Sequence, residues 1–93
     1  ILVMGDQKAT DLDEYLYCDC SAAIQNILIE ARHQGLSTCW CAVGPRKERI
    51  NNFRNYYKLK EDLLPVAVIA VGYGCEDKEI ADRFDPDKIS YFD

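Results

Sequence analysis

Asp19-Cys20-Ser21-Ala22-Ala23-Ile24-Gln25-Asn26-Ile27-Leu28, followed by Gly35-Leu36-Ser37-Thr38-Cys39-Trp40, is the stretch on which the fold turns. It reads as a capped apolar helix that stops at a glycine and passes directly into an apolar strand. Asp19 is the expected N-cap, because its carboxylate can accept the orphan backbone N–H groups of a first turn; Ser21 is the alternative. Ala23, Ile24, Ile27, Leu28 and Ala31 recur on one helical face. Ala22 and Ile29 widen that face, which predicts burial on more than one side. Gly35 stands where a left-handed cap belongs.

Working outward, Ile1–Met4 reads as a short strand before the turn Gly5-Asp6, and residues 7–14 read as a polar loop. Leu36 to Val43 reads as a strand. Gly44-Pro45 then opens a second helix, with Pro45 expected at its first position, where a missing N–H costs nothing. Ile50, Phe53 and Tyr57 mark the inner face of this helix, and Arg46, Lys47, Glu48, Arg49 and Arg54 its outer face. Residues 58–64 form a linker, and Pro65 stops any helix. Val66 to Val71 is a continuous apolar run that suits a strand buried on both faces. Residues 75–82 are polar, and Arg83 to Asp93, broken by Pro86, reads as an extended tail. The pattern β-α-β-α-β by itself predicts a parallel sheet with crossover helices.

Composition bounds what such a chain can do. Its 93 residues make one domain, with 48% apolar and 29% charged residues, an ordinary globular mixture. A chain of this size buries roughly 60–65% of its unfolded surface, so its core is marginal without help from disulfides, a metal, a cofactor or a partner chain. The net charge is −5 and the 11 basic residues are dispersed, which argues against nucleic acid, because phosphate neutralisation needs a concentrated basic patch. No apolar run approaches the ~20 residues of a membrane span, and nothing reads as a signal peptide. Five cysteines without a secretion signal read as reduced thiols of a cytoplasmic protein, mostly buried.

Isolated signals for chemistry are weak. Cys18/Cys20 and Cys39/Cys41 form two Cys-x-Cys pairs, and a four-thiolate metal site is the sharp reading. Structural zinc sites favour Cys-x2–4-Cys, whereas Cys39 and Cys41 share one face of a strand, so buried or incidental thiols are the expectation and no metal site is assigned. His33, the lone histidine, reads as surface at a helix C-terminus. The carboxylates Asp11, Asp13, Glu14, Glu76, Asp77 and Glu79 read as solvated loop residues. Trp40 reads as core more readily than as the apolar wall of a binding site. Gly44 sits at a strand end, where backbone N–H groups can meet an acceptor. Arg83 on an extended tail can grip a phosphate, a surface ion pair being the default.

Four segments taken in order resemble the FMN-dependent nitroreductase-like oxidoreductase family: Asp19–Leu28, Gly35–Trp40, Leu64–Tyr73 and Arg83–Ile89. The resemblance implies an α+β, three-layer α/β/α fold with a mainly antiparallel sheet between helices, in place of the parallel sheet. It also implies a homodimer with FMN at the interface and a C-terminal tail extended toward the partner subunit. NADH or NADPH would supply electrons, and the flavin would pass them to nitroaromatics, quinones or similar small-molecule acceptors. By position, Trp40, Cys41, Ala42, Val43 and Gly44 would lie beside the flavin, and Arg83 would contact its phosphate; no residue is assigned as catalytic.

Three departures stand beside the match. Ala42 and Val43 occupy places that are often glycine in the family, Ala81 replaces a second basic residue, and the family's N-terminal phosphate motif has no counterpart in these residues. Two expectations follow: residues 1–93 are one domain, the C-terminal half of a flavoprotein about twice as long; or, as the alternative, the chain is a non-catalytic dimerisation module without flavin.

Overall fold

Residues 1–93 form, in the computed structural model, β1 (Leu2–Asp6), α1 (Asp13–His33), β2 (Ser37–Ala42), α2 (Lys47–Tyr57), β3 (Leu63–Gly72) and a short 3-10 turn at Pro86–Lys88. The sheet order is β1-β3-β2, and both pairings are antiparallel. The fold is therefore α+β with an antiparallel sheet, as the resemblance implied, and the parallel sheet read from the element pattern is wrong. The apolar run of β3 is central because strands flank it on both sides, a position that antiparallel neighbours satisfy as well as parallel ones.

β3 holds Pro65 inside a central strand, a place that proline normally avoids because it has no N–H for the ladder. The register explains it. Val3 pairs with Ala67 while Met4 pairs with Pro65, so Val66 is an extra residue in a bulge. Val66 and Ala67 consequently both enter the main core cluster, with Cys20, Ile24 and Ile69. A smaller cluster of Leu16, Val43, Ile50 and Leu64 joins α1, α2 and the ends of β2 and β3.

α1 begins six residues before the expected cap at Asp19. Its first turn carries Asp13 and Glu14, favourable charges at the positive end of the helix dipole. Gln7 Nε2 donates to Asp13 Oδ1 at 2.9 Å, and the Thr10 hydroxyl accepts from the Leu12 N–H at 3.3 Å. Leu16 extends the inner stripe Cys20-Ile24-Ala31 one turn backward, so burial rather than a cap residue sets the start. At the other end the expectation holds. Gly35 has φ +78°, its N–H donates to Arg32 O at 3.0 Å, and the Leu36 N–H donates to Ala31 O at 2.8 Å. That bond pattern is a Schellman cap.

Burial of α1 on several sides is not seen: Ala22, Ala23 and Ile29 are exposed, because three strands cover one side only. β3 is buried at Leu64–Ala67 and Ile69, whereas Ala70, Val71 and Gly72 are exposed. Pro45 lies before α2 rather than at its first position. It follows Gly44 through a cis peptide bond, and Arg46 is the extended N-cap residue.

Arg54 is not on a wet outer face. Half-buried, it donates from Nη2 to Gln7 Oε1 at 3.1 Å, Glu61 O at 3.0 Å and Leu63 O at 3.1 Å, and from Nε to Leu63 O at 3.3 Å. A guanidinium has enough fixed donors to satisfy one side-chain amide oxygen and two backbone carbonyls at once. Urea denaturation should show Ile24→Ala, a fully buried side chain, losing about 2–5 kcal/mol. Gly35→Ala should lose roughly 1–2 kcal/mol through its left-handed backbone.

Candidate functional site

The end of β2 and the first half of α1 frame a cleft of about 400 Å3, lined by Glu14, Tyr17, Ser21, Trp40, Ala42, Gly44, Pro45 and Val66. Glu14, Tyr17 and Ser21 stand at helical spacing i, i+3, i+7 and so share a face. Trp40 and Ala42 alternate along β2, opposite Ile69 and Ala67, two residues buried against α1. Trp40 is 38% exposed. It is a wall of this cleft rather than the core residue that frequency favours.

Backbone groups decide what the cleft can bind. Val43 and Gly44 both donate their N–H to Val66 O at 3.0 Å, so neither is free for a ligand, contrary to the expectation for Gly44. β2 is an edge strand in the sheet order β1-β3-β2. Antiparallel ladders alternate inward and outward groups, and the inward bond of Val43 therefore turns Thr38, Trp40 and Ala42 outward. The Ala42 carbonyl accepts from Arg49 Nη1 at 2.8 Å, which leaves the Trp40 and Ala42 N–H groups on the open edge.

Gly44 is favoured by a close contact with the Tyr17 ring rather than by φ. A Cβ there would lie 2.5 Å from Tyr17 Cε1 and 2.6 Å from the phenol oxygen. Tyr17 is half-buried, and burial pushes its phenol above the ordinary value; the nearby Asp13 carboxylate adds to the shift and Arg54 opposes it.

The structure brings together Trp40, Ala42 and Gly44 among the expected site residues. Val43 is buried in the smaller core cluster. The Cys41 side chain points to the other face of β2, beside Cys39. Arg83 does not line the cleft; it lies exposed on the tail with its guanidinium in no ion pair or hydrogen bond. The two Cys-x-Cys pairs do not converge, and no group of three or more His, Cys, Asp or Glu side chains is placed to hold a metal. Cys20 is buried, but Cys18, Cys39, Cys41 and Cys75 are exposed, against the expectation of mostly buried thiols. Asp13 and Glu14 belong to the helix rather than to a loop.

Tyr17, Glu14, Ser21, Pro45 and Val66 are site residues that sequence reasoning missed. The 14-17-21 spacing was available as a signal, but it falls on a helix only once the start moves back from Asp19.

Gly44→Ala should destabilise the fold by about 1–3 kcal/mol through overpacking. Adding Tyr17→Ala should recover part of that loss, a coupling read from a double-mutant cycle in urea. Because the folded-state pKa of Tyr17 is raised, its contribution to stability is full below the unfolded value of ~10 and fades as pH rises through the folded value. A spectrophotometric titration should lose its highest-pH phenolate step in Tyr17→Phe.

Residues 1–73 match the sequence model of the nitroreductase family. A "Putative NADH dehydrogenase/NAD(P)H nitroreductase" of Methanothermobacter thermautotrophicus is 36% identical over 89 residues, covering 96% of this chain and 47% of that protein. One of the same name from Archaeoglobus fulgidus is 38% identical over 96 residues, covering 96% and 53%. The chain thus spans about half the length of the curated relatives it matches. A crystal structure under that name from Bacteroides thetaiotaomicron superposes with TM-score 0.88 at 39% identity, over 97% of this chain and 52% of that one. An FMN-dependent nitroreductase from Clostridium difficile shares the fold, with TM-score 0.86 at 23% identity. With an antiparallel α+β core that superposes on these structures and a family match over most of its length, this chain belongs to the nitroreductase family.

Proposed function

We propose that this chain is the C-terminal half of a cytoplasmic, homodimeric FMN oxidoreductase that uses NADH or NADPH to reduce nitroaromatic, quinone or similar small-molecule acceptors. Family membership supports an oxidoreductase of nitroreductase type. The relatives' NAD(P)H nitroreductase names support the electron donor, and the name of the C. difficile protein supports the flavin. No helix is long and apolar enough to cross a membrane.

The observation that carries the reading is the cleft. Its walls are apolar and aromatic at Trp40, Tyr17, Ala42, Pro45 and Val66, with Glu14 and Ser21 as polar groups along α1, and two edge N–H donors, of Trp40 and Ala42, stand beside it. A flat heteroaromatic ring system with acceptor atoms on its rim suits such a surface, so the residues present fit the group. Bound FMN would supply the hydride and electron chemistry. Trp40 and Tyr17 would bound the ring and exclude water, and the two N–H groups would fix its orientation. Arg83, having no partner within the chain, is available to pair with the phosphate, and a planar guanidinium does so through two parallel bonds.

The expected result is a yellow protein that releases FMN on denaturation, with an intact mass near twice the 10.6 kDa of these residues. Arg83→Ala should weaken FMN binding about tenfold or more, measured by flavin fluorescence quenching, while the far-UV circular dichroism stays unchanged. A colourless protein that does not take up added FMN would instead support a dimerisation module without flavin.

A further inference from the structure

Arg49 is the third residue of α2, and its guanidinium reaches back to the end of β2, where Nη1 donates to the Ala42 carbonyl at 2.8 Å. Packing sets this direction. Ile50, the next residue, is buried in the cluster that contains Val43, which fixes the rotation of α2 about its own axis. The Ala42 carbonyl belongs to the same peptide as the Val43 N–H, and that N–H donates to Val66 O at 3.0 Å. The Ala42–Val43 peptide is thus held at both ends, in a chain of hydrogen bonds that runs from a guanidinium to the bulge of β3. Bonds in series of this kind polarise one another. Each donor in the chain finds its acceptor within these residues, so the arrangement does not depend on any surface being open.

Arg49 does not line the cleft, but Ala42 does. The N–H and C=O of one residue in an antiparallel strand point to the same side, so the guanidinium stands on the edge that carries the Ala42 N–H. Glu14 is the one charged residue lining the cleft, and its charge is negative. A negative wall disfavours a ring that is gaining electrons, whereas a cation beside the ring favours its reduced state. Arg49 is in no ion pair, and a guanidinium keeps its charge at any working pH. We propose that Arg49 is a positioning residue that holds the Ala42 peptide against the flavin and raises the reduction potential of the site, because it favours reduced over oxidised FMN. The inference rests on the flavin reading above and adds to it a residue that touches neither flavin nor acceptor. A hydride from NADH or NADPH brings two electrons and one proton to the ring and so adds one negative charge. Arg49 exchanges no atom or electron; it shifts the balance between the two states by interacting with them unequally.

The test uses the complete FMN-loaded protein, unmutated and as Arg49→Gln and Arg49→Lys. Flavin fluorescence quenching gives the affinity for oxidised FMN, and a dye-coupled reductive titration gives the two-electron midpoint potential. Arg49→Gln should lower the affinity for reduced relative to oxidised FMN about tenfold or more, which is a potential lower by about 30 mV. Arg49→Lys, which keeps the charge, should hold that ratio within about threefold of the unmutated protein. An unmoved potential in Arg49→Gln, with only a lower melting temperature, would reduce Arg49 to a tie between α2 and β2 and overturn the proposal. A tenfold fall in the lysine variant would overturn it too, and that measurement decides the matter even where the glutamine variant does not fold. Unmutated full-length protein that takes up no FMN would remove the flavin reading and this inference with it, whereas normal uptake with an unmoved potential in Arg49→Gln removes the role of Arg49 alone.

Discussion

Val66 is the residue through which the sheet, the core and the cleft are joined. As the extra residue of a bulge, its side chain enters the same cluster as Ala67, against Cys20 and Ile24 of α1. Its carbonyl accepts from both Val43 and Gly44, so the end of β2 is pinned to the point where β3 departs from regular pairing. Pro65 is tolerated immediately before it for the same reason, since a ladder that is already interrupted requires no N–H there. The cleft lies where this pinned strand end meets α1, and Val66 is one of its walls.

Arg54 does for the loops what Val66 does for the strands. It joins the turn after β1 to the start of β3 and the segment before it. One guanidinium collects Glu61 O and Leu63 O together with the Gln7 side chain, and hydrogen bonds from a charged donor are about twice as strong as neutral ones. Gln7 also donates to Asp13 in the first turn of α1, so Arg54 ties α2 to the end of the helix that carries Glu14, Tyr17 and Ser21 along the cleft.

Much of this was legible in the residues. The α1 stop at Gly35, the strand before Gly44 and the apolar run of β3 follow from local chemistry: a left-handed cap, punctuating glycines and unbroken apolar length. What local chemistry could not give is which strands become neighbours. An apolar run says that a strand is central, and parallel and antiparallel pairings are equally good ways to make it so. The start of α1 was misplaced for a related reason. Asp19 has the right side chain for a cap, but Leu16 has a core to fill, and burial of a leucine, worth about 1.5–3 kcal/mol, outweighs a cap worth about 1 kcal/mol. Within the cleft, Trp40 and Gly44 were identifiable from their place at a strand end, whereas Tyr17 became visible only once α1 was extended. The prior occupation of the Val43 and Gly44 N–H groups depends on a bulge that no local pattern announces.

The distribution of burial bears on why the chain is read as half of a larger protein. Twelve of its residues are buried, while Tyr15, Ile29, Tyr56, Tyr73, Ile80, Tyr91 and Phe92 are each more than half exposed. The radius of gyration is 16.5 Å, against about 12 Å for a compact domain of this length. The two core clusters hold five and four residues. The outer side of α1 at Ile29 and the aromatic tail beyond Gly72 are left uncovered. In a homodimer of a chain about twice this length, as proposed, those surfaces would supply the missing contacts. The order of the tail carrying Arg83 would then depend on the assembled dimer rather than on this segment alone.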